Sequence, residues 1–130
     1  MSRENVELVK RANAAFRRGD WEAVAELMDP DVLLRTDPRW PEQRIYGREA
    51  ALAFYRGLIE TLGSDIGFEE MTDLGDRVLV TGHWATRGHA SGISDEGSIA
   101  ILVTIRDGRV ILEEFFLDPG TALKVVGLEE

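Results

Sequence analysis

The clearest alternation of apolar and polar positions lies in the last third of the chain. It reads Ser98-Ile-Ala-Ile-Leu-Val-Thr-Ile-Arg106, then Asp107-Gly108, then Arg109-Val-Ile-Leu-Glu-Glu-Phe-Phe-Leu-Asp118. Asp-Gly supplies the positive φ angles of a type I′ turn, so these two β-rich runs predict one long antiparallel hairpin. Successive strand side chains point to opposite faces. Ile99, Ile101, Val103 and Ile105 therefore form one face, and Ala100, Leu102, Thr104 and Arg106 the other. Neither face is strongly polar, which predicts that the second also meets a helix or another subunit. In the second arm Ile111, Glu113, Phe115 and Leu117 share a face, as do Leu112, Glu114 and Phe116.

The first half of the chain follows the helical period instead. Ser2 and Glu4 open a helix whose stripe is Asn5, Val9, Ala12 and Phe16, flanked by Val6, Leu8, Asn13 and Ala15, with Gly19 as its stop. Asp20 caps a second helix, Trp21 to Met28, which Asp29-Pro30-Asp31 ends. A short strand, Val32 to Thr36, precedes the stiff loop Asp37-Pro-Arg-Trp-Pro41. Trp40 in that loop is either a lid over a cavity or a plug in a core. A third helix spans Arg48 to Leu62, with Ala51, Phe54, Tyr55, Leu58 and Leu62 on one stripe and Gly63 after it.

From Ile66 the period becomes about two. Gly67 to Leu74 predicts one strand and Arg77 to His89 a longer one, with Val78, Val80 and Gly82 opposed to Leu79, Thr81 and His83. Gly82, Gly88 and Gly92 suit a strongly bent sheet. Ser91 to Glu96 is a polar loop, and Asp118-Pro119 starts a last helix that ends near Gly127. Helices followed by a curved antiparallel sheet define an α+β class, a single domain over residues 1–130. A bent sheet partly roofed by helices leaves a blind pocket.

Composition narrows the function. The net charge of −9 opposes binding to nucleic acid or to anionic membranes. No apolar run approaches the ~18 residues of a membrane span, and the N-terminus does not read as a signal peptide. With no cysteine, disulfide and thiol chemistry are excluded, and a cytoplasmic location is expected. Neither a Gly-x-x-x-x-Gly-Lys loop nor a Gly-x-Gly-x-x-Gly loop occurs, so no nucleotide cofactor is indicated. Metal binding is not expected either, because His83 and His89 on one strand stand about 20 Å apart.

The order of elements comes with Asn13-Ala-Ala-Phe-Arg-Arg-Gly-Asp-Trp21, Asp29-Pro-Asp-Val32, Tyr46-Gly-Arg-Glu-Ala50, Leu74-Gly-Asp-Arg-Val78, Ile105-Arg-Asp-Gly-Arg-Val110 and Ala122-Leu-Lys-Val-Val-Gly-Leu128. In these it resembles the SnoaL-like branch of the nuclear-transport-factor-2-like superfamily. The resemblance implies a cone-shaped α+β barrel with a deep pocket on the concave sheet face, and a homodimer through the outer face of the sheet. That superfamily holds isomerases, cyclases, hydrolases and pure binding domains, so fold alone decides no reaction. Ala12 and Ile101 stand where the steroid isomerases carry a tyrosine and a protonated aspartate, and Thr36 or Asp37 stands where they carry the base. Their mechanism is therefore not expected here. For the cyclases' acid/base aspartate, Glu113 or Asp118 is the counterpart.

The resemblance also turns Thr81, His83, Ala85, Ile101, Val103, Glu113, Phe115, Phe54 and Tyr55 toward the pocket. His83 and Glu113 are then the catalytic candidates, able to share a proton in an apolar setting, with Tyr55 or Thr81 donating to an oxyanion. The plainer alternative is that the two satisfy each other, as buried polar groups must. Asp37, near Arg35 and Trp40 at the mouth, is a further acid/base candidate, or else a turn cap before Pro38. The expected function is binding of a small hydrophobic or aromatic molecule with cofactor-free acid/base catalysis of the isomerase, cyclase or hydratase kind. The rival expectation is a non-catalytic binding or dimeric interaction domain.

Overall fold

The computed structural model describes residues 2–37, 42–62, 65–86 and 95–116, together with residues 120, 124 and 127. Its elements run α1 (Ser2–Arg17), α2 (Trp21–Glu26), β1 (Met28–Arg35), β2 (Arg44–Tyr46), α3 (Arg48–Leu62), β3 (Asp65–Asp73), β4 (Arg77–Thr86), β5 (Asp95–Arg106) and β6 (Arg109–Phe116). Trp40, Gly63, His89, Ser91 and the expected final helix lie outside the described residues. No described helix is long and apolar enough to cross a membrane.

The strands form one six-stranded sheet in the order β2-β1-β6-β5-β4-β3. Every pairing is antiparallel except β1 with β6, which is parallel. At the central hairpin Asp107 (φ 52°) and Gly108 (φ 76°) both adopt the left-handed conformation that a type I′ turn demands. Helices on one face of a curved, mainly antiparallel sheet make the α+β cone anticipated from the sequence.

Two elements depart from expectation. The helix expected to reach Met28 stops at Glu26 with Leu27 as its cap, and Met28 together with Asp29-Pro30-Asp31 belongs to β1 rather than to a helix end and a connecting turn. The β1–β6 ladder is irregular between Met28 and Leu33, and such an interruption tolerates a proline that has no N–H to offer. β2 went unread because three residues with only Ile45 buried give no period to count. It is held by pairing with Leu33, Leu34 and Arg35.

Two packed clusters result. The main one lies between helices and sheet and includes Val9, Val24, Tyr55, Val80, Ile101 and Phe115. A smaller one, Leu79, Ala100, Leu102 and Phe116, lies on the opposite sheet face and is itself buried. The second apolar face of the hairpin is thus covered within the single chain, so its composition alone gives no reason for a partner subunit.

Candidate functional site

Directly paired residues of an antiparallel ladder point to the same side of a sheet. Val103 pairs with Glu113 and Ile101 with Phe115, so all four face the helices. The alternation then breaks, because Ile105 pairs with Val110 while Thr104 pairs with Leu112. This bulge at Ile111 turns Val110 to the helix side although it lies an odd number of residues from Glu113. On α3, Ala51, Tyr55 and Leu58 make the buried stripe that points down onto the sheet. α1 covers the same space with Val9, Ala12, Asn13 and Phe16.

These elements line a partly open cavity of about 80 Å³. Among the described residues that line it, only Asn13, Tyr55 and Glu113 bring polar side-chain groups. The Tyr55 hydroxyl donates a hydrogen bond to Oε2 of Glu113. Ring contacts hold the tyrosine in place: Phe16 lies 5.9 Å away edge-on, and Phe54 lies 5.5 Å away. Both members of the pair are buried, at 5% and 7% exposure.

Burial disfavours the charged form of a carboxyl, and it pushes Glu113 up from 4.5 to about 7, with the Tyr55 hydrogen bond pulling partly the other way. The phenol of Tyr55 is raised well above 10, first by burial and then by the neighbouring carboxylate. Near neutral pH the carboxyl is therefore divided between acid and base, and the phenol keeps its proton. A carboxyl in that condition both accepts and returns protons, which suits general acid–base work.

The expected partner of Glu113 is elsewhere. Val80 pairs with Ile101 and therefore faces the cavity, while Thr81 pairs with Ala100 and His83 with Ser98 on the far side. His83 is exposed and sits 3.0 Å from Oε1 of Glu69, itself exposed. The reading that put Thr81 and His83 in the pocket is corrected: the parity along β4 was right, but its two faces were exchanged. Tyr55 takes the position expected of the histidine.

Arg35 likewise lies on the far side, paired with Glu114 in the ladder and 4.0 Å from its Oε2, rather than lining the pocket. Asp37 is not at an open mouth. It is 1% exposed beyond the end of β1, where its carbonyl accepts from Gln43, and it is not among the cavity's lining residues. Phe115 faces the right way but is packed into the core against Phe54, with ring centroids 5.9 Å apart. Ile101, Val103, Tyr55 and Glu113 do line the cavity.

Asn13 was not anticipated as a site residue. It sits one position past Ala12 and four past Val9 on a face that is apolar apart from Asn5, and an amide inside such a stripe was the available signal.

A SnoaL-like domain model matches residues 9–113. The chain belongs to the SnoaL-like domain family. An uncharacterised protein of Mycobacterium tuberculosis is 28% identical over 128 residues, spanning 88% of this chain and 90% of the relative. Among solved structures, a protein of Jannaschia sp. CCS1 provisionally named a SnoaL-like polyketide cyclase superposes with a TM-score of 0.75 at 24% identity, over 98% and 94% of the two chains. TerC, co-crystallised with polyporic acid, superposes with a TM-score of 0.71 at 21% identity, over 95% and 98%. At such identities the structural likenesses establish the fold, that of the nuclear-transport-factor-2-like superfamily.

Proposed function

We propose that this SnoaL-like protein binds a small, mainly hydrophobic or aromatic molecule in the helix–sheet cavity and moves a proton on it without a cofactor. One observation carries the reading: an apolar cavity with a buried carboxyl–phenol pair, Glu113 and Tyr55, on its wall. Ionised Glu113 takes a proton from carbon next to a ligand carbonyl, giving an enolate. The same carboxyl, now protonated, returns that proton to carbon, at the original position or at a conjugated one. Return to a conjugated carbon is an isomerisation. The apolar walls exclude bulk water and so preserve the basicity gained by burial.

TerC was co-crystallised with polyporic acid, and another structural relative carries a provisional cyclase name, which supports a small-molecule role for the pocket. Homodimerisation through the outer sheet face is part of the proposal. Its support is family membership, since the apolar residues there are already buried. Light scattering giving a monomer mass would remove it.

Proton transfer is tested by deuterium exchange into a panel of small cyclic ketones in D₂O, followed by NMR. The expected result is exchange above the buffer rate by roughly 10²-fold or more. It should rise with pH through about 7 as Glu113 ionises and be lost in Glu113→Gln. Exchange equal in the parent and Glu113→Gln would leave binding without catalysis as the better account.

A further inference from the structure

Asn13 brings to the cavity a polar atom that the Tyr55–Glu113 pair does not use. Oδ1 of Asn13 is buried and has no hydrogen-bond partner among the described residues, and Asn13 is one of the cavity's lining residues. A buried carbonyl oxygen left unpaired costs roughly 1–3 kcal/mol, so a group of this kind calls for a donor. The neighbouring lining side chains Val9, Ala12, Phe16 and Val24 have no side-chain N–H or O–H to give. Tyr55 has one hydroxyl proton, and it is committed to Glu113. Protonated Glu113 is the other group on this wall with a hydrogen to give, so once Glu113 is ionised the donor has to come from what occupies the cavity.

We propose that Asn13 is the specificity-determining residue of this site, accepting a hydrogen bond through Oδ1 from an O–H or N–H of a neutral, compact ligand of the phenol or cyclic-enol class. The inference rests on the cavity being the ligand site. Three features set the class. The cavity, about 80 Å³, compares with roughly 150 Å³ for a hydrocarbon cavity that admits benzene, so the part of the ligand seated in it has at most one ring. Met28 on the wall supplies the adaptable side chain that seating a ring requires. A carboxyl on the same wall disfavours an anionic ligand as it ionises, which leaves a neutral donor. A phenol or enol is also the protonated counterpart of the enolate that Glu113 would form, so recognition at Asn13 and proton transfer at Glu113 call for the same kind of molecule.

Phenol and toluene have the same number of heavy atoms and differ in one hydroxyl against one methyl, so the pair isolates the hydrogen bond. Calorimetric titration of both into the parent protein and into Asn13→Leu forms a cycle between the ligand hydroxyl and the side-chain amide. The expected ratio of phenol to toluene affinity falls about tenfold in Asn13→Leu, with toluene binding kept or improved. An unchanged ratio overturns the proposal, whichever other group then holds the hydroxyl. If Asn13→Leu fails to fold, Asn13→Ala removes the amide without added bulk and is held to the same ratio. The parent alone also decides, because phenol binding far weaker than toluene overturns the proposal outright. Failure of both phenol and toluene to bind the parent would instead overturn the cavity as a ligand site, and the two failures are thereby told apart.

Discussion

Tyr55 and Glu113, 58 residues apart in sequence, meet inside the cone through a hydrogen bond from the phenol to Oε2. Burial of this carboxyl, which the phenol only partly offsets, makes the stability of the protein depend on pH in a direction unusual for a carboxyl. With Glu113 near 7 when folded and near 4.5 when unfolded, the folded chain binds more protons between those values. The contribution of this group is complete below about pH 4.5 and is lost as pH rises through about 7. The shift corresponds to about 3 kcal/mol. In urea unfolding, the stability of the parent minus that of Glu113→Gln is expected to fall by that order between pH 4.5 and pH 8. A difference constant across this range would mean that the carboxyl is not buried as described.

Tyr55→Phe keeps the ring and removes the hydrogen bond that pulls Glu113 toward the ionised form. Glu113 is then expected to titrate above about 7, because only burial remains to act on it. Carbon-13 NMR of the glutamate carboxyls reads the midpoint directly. A midpoint that moves down would show the phenol to be a hindrance to ionisation rather than its support. The same substitution should cost about 1 kcal/mol of stability at low pH, the usual net worth of one hydrogen bond.

Residues with a local signature were legible in the sequence. Asp107-Gly108 is a turn because few other dipeptides accept two positive φ angles, and α3 runs from Arg48 to Leu62 as its apolar stripe requires. Glu113, Tyr55, Ile101 and Val103 line the cavity: the apolar stripe of α3 marks the buried side of Tyr55, whereas on β5 and β6 neither face is strongly polar and only the resemblance pointed to the facing. His83 does not line it, since the facing of β4 depends on its register against β5. That register is set across the connection between Thr86 and Asp95, whose length does not specify which residues pair. Val78 and Val80 opposed to Thr81 and His83 did hold the answer, but Leu79 blurred the contrast. The bulge at Ile111 was invisible for a similar reason, as an extra residue leaves no mark in an alternating pattern until its partner strand is known.

His83 on the outer sheet face predicts that its removal is inconsequential for the cavity. His83→Ala breaks only an exposed pair with Glu69, and such pairs contribute little after side-chain entropy and screening. Stability is expected within about 0.5 kcal/mol of the parent, with toluene and phenol binding unaltered. A loss of binding in His83→Ala would contradict the β4–β5 register and return the imidazole to the pocket.

At Gly82 the backbone of β3 runs close against β4, beside the irregularity in their pairing between Phe68 and Glu70. A Cβ on Gly82 would run into the carbonyl oxygen of Gly67 and stand only 2.8 Å from Phe68 Cα. Both obstacles are backbone, so no side chain can rotate away, and the strands would have to separate where Phe68 pairs with Gly82. Gly82→Ala is therefore expected to be strongly destabilising, on the order of 3 kcal/mol as for other overpacked interiors. Gly67→Ala is the contrasting substitution, because a Cβ there meets nothing within 4 Å. Thermal unfolding of the two variants side by side tests the geometry: a large drop for Gly82→Ala with little change for Gly67→Ala fits the close approach. Equal effects would mean that the two strands are not packed backbone to backbone at this point, and the wall carrying Phe68 and Val80 would not stand where the cavity needs it.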